Sequence, residues 1–281
     1  MEGLDDILDK ALEKKELRSI DNDFAREAVI GALKDHQSTY DAWKEKDFDP
    51  RASEAKELVK IARRELRDAY GLYFNDPLTA DERDSIRDQD SVDLRALMQR
   101  HVSTAERLPH YPYLLHHMTS IFGSVDHVLD LGCGYNPLAL AEYDVCNQVS
   151  MVDISGDELS FISDILDKQR VANSWDIIDL SNPDEFGILK EKGDIDVASC
   201  FKLFDNLEAK TKGITETIVD LLLNITEKGI IVSFPNRTIS GRNKIEADRT
   251  WFHDTINDIE QKDMTIVESL NETFYFIKWK K

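Results

Sequence analysis

Val128-Leu129-Asp130-Leu131-Gly132-Cys133-Gly134-Tyr135-Asn136-Pro137 is the stretch whose reading decides the fold. Residues 127–131 read as a short buried strand, Gly132-Cys133-Gly134 as a tight turn, and the segment from Leu138 as the start of a helix. Glycine has no Cβ, so the backbone at Gly132 and Gly134 can take unusual angles and approach a ligand closely. In a strand–turn–helix unit that ligand lies at the carboxyl end of a parallel sheet. The third glycine of a dinucleotide fingerprint is missing, and an acid, Asp130, precedes the turn. Two glycines without a phosphate-cradling run suit S-adenosyl-L-methionine better than a pyrophosphate. An ordinary strand-to-helix turn is the competing reading.

Downstream, strands and helices alternate. Residues 149–153, 175–178, 195–200 and 229–234 read as further strands, with helices over 159–171 and 215–226. Two last strands, 265–270 and 273–279, straddle Asn271-Glu272 at hairpin spacing. The expected fold class is α/β: a Rossmann-like, doubly wound sheet closed by a terminal antiparallel hairpin, the layout of a class I S-adenosylmethionine-dependent methyltransferase.

Upstream, residues 1–95 read as an all-helical domain, leaving 96–281 for the sheet. Apolar spacing predicts a helix around Ile7–Leu17, a second from Phe24 on to Trp43, and a third over 52–74. The third carries Lys56, Lys60, Arg63, Arg64 and Arg67 at steps of three and four, which makes a basic stripe beside an apolar one. Such a stripe suits several phosphates, or is a solvated face with i,i+4 charge pairs; the spacing leaves both open. Thr79-x-x-Glu82 has capping-box spacing, and the Asp-rich residues 81–93 read as a surface segment or linker.

Composition bounds the function. The 281 residues are 41% hydrophobic, enough for a packed core, with no apolar run of membrane-spanning length and no signal-peptide pattern at the start. Cys133, Cys146 and Cys200 show neither disulfide-framework nor zinc spacing, so no metal is expected. A cytoplasmic protein without membrane attachment is expected. The 35 basic and 55 acidic residues give a net charge of -20, which weighs against a nucleic-acid partner unless the positive charge is clustered.

Asp153, with Ile154 after it, ends the second strand, where an acid accepts hydrogen bonds from ribose hydroxyls. Asp179 and Leu180 follow the third strand, placed to grip adenine. Arg107, in His101-x-Ser103-Thr104-x-Glu106-Arg107, suits the carboxylate of a methionine moiety, although a local helix cap explains the same pattern. Phe201 and Lys202 follow the fourth strand, where an acceptor meets the methyl group. Arg237, Arg242 and Lys244 put three cations in the loop after the fifth.

Four blocks carry a resemblance: His101-x-Ser103-Thr104-x-Glu106-Arg107-Leu108, residues 129–139 around Gly132-Cys133-Gly134-Tyr135-Asn136-Pro137, Phe201-Lys202-Leu203, and Ser233-Phe234-Pro235-x-Arg237-x-x-x-Gly241-Arg242. In this order they resemble the aminoglycoside-resistance 16S ribosomal RNA methyltransferases, which methylate N7 of a decoding-site guanine. The likeness spans about residues 100–245; Asn236 and the run 238–246 depart from the family pattern.

The resemblance implies S-adenosyl-L-methionine held by Arg107, Asp130, Gly132, Gly134, Asp153, Ile154, Asp179, Leu180 and Phe201. It implies a target positioned by Phe201, Lys202, Arg237 and Arg242. RNA would be met by Lys56, Lys60, Arg63, Arg64, Arg67, Arg237, Arg242 and Lys244. The implied partners are the small (30S) ribosomal subunit and its 16S RNA, approached by a monomer. Guanine N7 carries no proton, so no general base is required, and positioning carries the catalysis. The rival readings are a methyltransferase for a small molecule or protein, and a non-catalytic ribosome-binding factor.

Overall fold

The structure, a computed structural model, describes residues 2–14, 17–18, 20, 22–67, 77–237, 245, 247–269 and 271–280. Gly241, Arg242 and Lys244, and the expected third helix beyond residue 67, lie outside these.

Four helices open the chain: α1 (Leu4–Leu12), α2 (Asn22–Lys34), α3 (Gln37–Lys44) and α4 (Ser53–Leu66). The second and third had been expected as one helix, but the chain turns at Asp35-His36, where the His36 N–H reaches back to the Leu33 carbonyl. Their apolar faces meet in one core around Leu8, Val29, Leu33, Trp43, Leu58 and Leu66. Each such side chain contributes about 1.5–3 kcal/mol on leaving water. Ile154, from the sheet half of the chain, packs against this core and joins the two parts.

Four more helices follow: α5 (Ala80–Arg87), α6 (Leu94–Met98), α7 (Val102–Arg107) and α8 (Tyr111–Phe122). Thr79 caps α5 through the expected box, accepting from the Glu82 N–H at 3.2 Å while its own N–H donates to Glu82 Oε2 at 2.7 Å. The helix capped at Thr79 takes in residues 81–87 of the expected surface segment and is docked, while 88–93 are non-helical and mostly exposed. The anchor of this helix is polar, which an apolar-periodicity reading does not register. Arg83 donates to Glu158 Oε1 at 2.8 Å, and Arg87 to Asp164 Oδ2 at 2.6 Å. Leu78, Leu94, Leu97 and Met98 join the core of the sheet rather than that of the first four helices. Apolar packing thus changes partners between Leu66 and Leu78, upstream of the expected boundary at 95.

The sheet has seven strands: β1 (His127–Leu131), β2 (Gln148–Asp153), β3 (Ala172–Ile177), β4 (Ile195–Phe201), β5 (Thr226–Pro235), β6 (Lys262–Glu268) and β7 (Glu272–Trp279). Their order is β3-β2-β1-β4-β5-β7-β6; the first five are parallel, and β7 enters antiparallel to β5 and β6. Helices α9 (Asn136–Glu142), α10 (Gly156–Lys168), α11 (Phe204–Lys210), α12 (Ile214–Ile225) and α13 (Thr250–Asn257) complete the crossovers. β1 is buried along its whole length, as a strand covered on both faces must be. Strand order reverses between β1 and β4, and a ligand crevice opens at the carboxyl ends of strands at such a switch point. This is the class I methyltransferase fold, with a helical unit at its amino end.

Candidate functional site

The turn after β1 is held by backbone bonds. The N–H groups of Gly132 and Cys133 both donate to the Val152 carbonyl, at 2.8 and 3.1 Å, and the Gly134 N–H donates to Asp153 Oδ2 at 3.0 Å. Gly132 and Gly134 sit at φ of 61° and 47°. A Cβ on Gly134 would lie 2.7 Å from His101 Nε2, and one on Gly132 would lie 2.8 Å from Leu203 Cδ1. Both glycines are therefore required by angle, and Gly134 also by space against the buried His101 ring.

A cavity of about 420 Å³ lies beside this turn. It is lined by nine expected residues: Arg107, Gly132, Gly134, Asp153, Ile154, Asp179, Leu180, Phe201 and Lys202. Phe24, Ala28 and Glu65 also reach it, so the helical unit forms part of its wall. Lys210 Nζ, from α11, lies 5.5 Å from the Phe24 ring centre and adds a cation–aromatic contact across the same gap.

Two expectations, on Asp130 and Arg63, meet a different geometry. Asp130 does not line the cavity. Its carboxylate is buried and accepts from Ser199 Oγ at 2.6 Å and from Asn136 Nδ2 at 2.9 Å. Burial raises its pKa to about 7, against the lowering effect of those two donors. It braces the strand end from beneath. Arg63, placed in the basic stripe, turns inward: its Nη2 donates to the Lys10 carbonyl, which removes it from an outward-facing set. Lys56, Lys60 and Arg64 are exposed, and Arg67 is half-buried. Arg237 lies just beyond β5, half-buried and outside the cavity wall.

Arg107 is the most tightly held cation of the site. It is 4% exposed, and its Nε donates to both oxygens of Glu272, at 3.0 and 2.9 Å. Its guanidinium carbon sits 4.7 Å from the centre of the Phe201 ring. Burial works against its charge, but Glu272 outweighs burial and raises the pKa further. Its Nη2 is buried and makes no hydrogen bond among the described residues. Arg107 lines the cavity, and a buried guanidinium with one nitrogen left unpaired there fits a carboxylate ligand. With the glycine turn, it is the observation that makes these residues fit S-adenosylmethionine.

Lys202 follows β4 at φ 53°, a left-handed angle that is costly for a non-glycine residue and is held by two bonds from its N–H to Ser233, each 3.0 Å. Its Nζ donates to Glu106 Oε2 at 2.6 Å. His101 is buried in the wall, stacked on Tyr135 with ring centres 5.6 Å apart. Burial, then the nearby Arg107 and Lys202 charges, depress its pKa to about 3 and keep the ring neutral. Asp179 binds Ser181 and Lys210, and these contacts outweigh burial to hold it below the usual carboxylate range.

The sequence reading missed three contributors. Glu272 falls in the expected hairpin turn, where an acid looks ordinary, but opens β7 in the structure. Phe24 and Lys210 lie on helices whose face toward the cavity depends on packing. His101 was visible inside its motif, but nothing local gave it a role. Cys133, Cys146 and Cys200 are free and buried. Among the described residues no His, Cys, Asp or Glu cluster is built for a metal, and no helix is long and apolar enough to cross a membrane.

A family model described as "Ribosomal RNA methyltransferase (FmrO)" matches residues 35–253. The chain belongs to this ribosomal RNA methyltransferase family. A curated member from Frankia casuarinae, named 16S rRNA (guanine(1405)-N(7))-methyltransferase, is 30% identical over 203 residues, covering 67% of this chain and 68% of that protein. Among solved structures, the 16S rRNA methyltransferase RmtF in complex with S-adenosyl-L-homocysteine superposes with a TM-score of 0.73 at 23% identity, over 100% of this chain and 99% of that one. An rRNA methylase from Escherichia coli gives 0.68 at 22% identity, over 99% and 100%. At such identities these likenesses speak for the fold, and they extend over the helical unit as well as the sheet.

Proposed function

We propose that this chain transfers a methyl group from S-adenosyl-L-methionine to N7 of a guanine in 16S ribosomal RNA, within the small ribosomal subunit. The observation that carries the reading is the cavity at the strand switch point. It gathers an orphaned buried arginine nitrogen, a glycine turn and a strand-end acid in a member of the ribosomal RNA methyltransferase family. Curated relatives are named for the same position, guanine 1405. It would act as a monomer. Its place of work would be the cytoplasm, where small subunits are.

When bound, the cofactor supplies a methyl group activated by a sulfonium. Arg107 would hold its carboxylate, Gly132 and Gly134 would let the backbone approach the methionine part, and Asp153 would accept from the ribose. Leu180 and Ile154 would flank the adenine, with Asp179 beside them. Guanine N7 has a free lone pair, so the residues need only hold donor and acceptor in line. N7 lies in the deep, narrow groove of an RNA helix, so the base must leave its stack to reach the cavity. Arg107 already covers part of the Phe201 ring. Phe201 would therefore border the base rather than offer it an open face. Exposed Lys56, Lys60 and Arg64 on α4, with Arg67, would meet RNA phosphates, and Arg237 and Arg242 would help to position the target.

Transfer of labelled methyl to unmodified small subunits, with naked ribosomal RNA and free nucleosides alongside, tests the reading. Labelled subunits are expected. Cofactor binding without transfer to subunits or RNA would redirect it to a small molecule or protein acceptor.

A further inference from the structure

Resting on the reading of the cavity as an S-adenosylmethionine site, we propose that Glu272 is a positioning residue that fixes Arg107 for recognition of the ligand's carboxylate. Glu272 opens β7, at the far end of the chain from α7, and is 1% exposed. Its two oxygens accept from the same nitrogen, Arg107 Nε, at 3.0 and 2.9 Å. This is not the usual fork on the two terminal nitrogens. The guanidinium is held through Nε, its Nη2 makes no hydrogen bond among the described residues, and the side chain lines the cavity.

Further contacts restrict the pair. Ser233 Oγ donates to Glu272 Oε1 and fixes the carboxylate. The Phe201 ring lies against the guanidinium face with its centre 4.7 Å from the central carbon. Lys202 does not draw Glu272 away: its Nζ is 2.6 Å from Glu106 and 3.6 Å from Glu272. The guanidinium is thus held through Nε, at one face and by a hydrogen bond to the Tyr111 side chain before any ligand arrives. A side chain already held in its binding pose loses less freedom on binding and gains affinity for that reason. The rival is a purely structural role, in which Glu272 only offsets a buried charge and its loss weakens the whole site without regard to the ligand.

Two ligands separate these roles. S-adenosylhomocysteine carries the amino-acid carboxylate, whereas 5′-methylthioadenosine shares the nucleoside and thioether but lacks it. Calorimetry of both on the full-length chain would compare wild type with Glu272→Gln, which removes the charge, and Glu272→Asp, which withdraws it by one methylene. The expected result is a Kd for S-adenosylhomocysteine raised about tenfold in each variant, the size of a charge-assisted hydrogen bond, with methylthioadenosine binding unchanged. Should Glu272→Gln fail to fold, Glu272→Asp carries the comparison. Equal losses for the two ligands, or unchanged or tighter S-adenosylhomocysteine binding, would overturn the proposal while leaving the cofactor reading intact. A wild type that binds neither ligand would remove both.

Discussion

The backbone N–H of Gly134 donates to Oδ2 of Asp153 across 3.0 Å, tying the turn after β1 to the last residue of β2. The other oxygen, Oδ1, accepts from the Ile154 N–H at 2.7 Å. The carboxylate is therefore both a brace and a fixed acceptor on the cavity wall. Asp153→Ala is expected to weaken S-adenosylhomocysteine and methylthioadenosine alike, by about 10- to 100-fold, because the ribose is common to both. Retained affinity for either compound would sink the ribose assignment.

Gly134 pairs with His101 in a second test. At φ 47°, with a Cβ only 2.7 Å from His101 Nε2, Gly134→Ala carries two penalties, one of angle and one of space. A loss of about 1–3 kcal/mol is expected in denaturant unfolding. Adding His101→Ala relieves the clash but not the angle, so the double variant should be less destabilised than the two single losses summed. Simple additivity would show that the two side chains do not meet.

Most parallel strands were legible in the sequence because a strand buried on both faces carries a run of apolar residues, as at Ile230-Ile231-Val232; β3, largely unburied, begins at Ala172 rather than at the expected Trp175. The glycine turn, Asp153 and Leu180 were legible as cavity wall because their places follow from position after a strand. Arg63 was misread because helical spacing places a side chain on a face, yet a long side chain can curl back to a carbonyl such as that of Lys10. Asp130 was misread because an acid before a glycine turn has the same sequence whether it meets ligand or lies beneath it. Glu272 was silent because its partner, Arg107, is 165 residues away.

Asp130 sets a pH dependence. Its folded pKa is raised to about 7 from an ordinary 3.8, chiefly by burial. The folded chain keeps this proton between those values while the unfolded chain releases it. Stability from this group is therefore full below pH 3.8, declines as pH rises, and is lost above about 7. Asp130→Asn, which carries no titrating proton, should raise Tm relative to wild type at pH 8, with the gap closing toward pH 4. A gap that is constant across this range would mean that Asp130 ionises without cost.

The α4 cations separate RNA contact from structure. Reversing Lys60 and Arg64 to Glu should weaken binding to small subunits and reduce the salt slope by about 1.5–2, leaving the S-adenosylhomocysteine Kd unchanged. Arg63→Ala should do the reverse, lowering Tm through its lost bond to the Lys10 carbonyl while the salt slope stays put. If Arg63→Ala changes the slope and the double reversal does not, the docking face is wrongly drawn.

The most direct test of the central claim is to treat small subunits with the enzyme and S-adenosylmethionine, then cleave the RNA with borohydride and aniline, which cut at N7-methylguanine. One new cut in the decoding region, absent when naked RNA or cofactor-free enzyme is used, is the predicted result. A methyl group incorporated without any such cut, or cuts scattered along the RNA, would contradict N7 of a single guanine as the target.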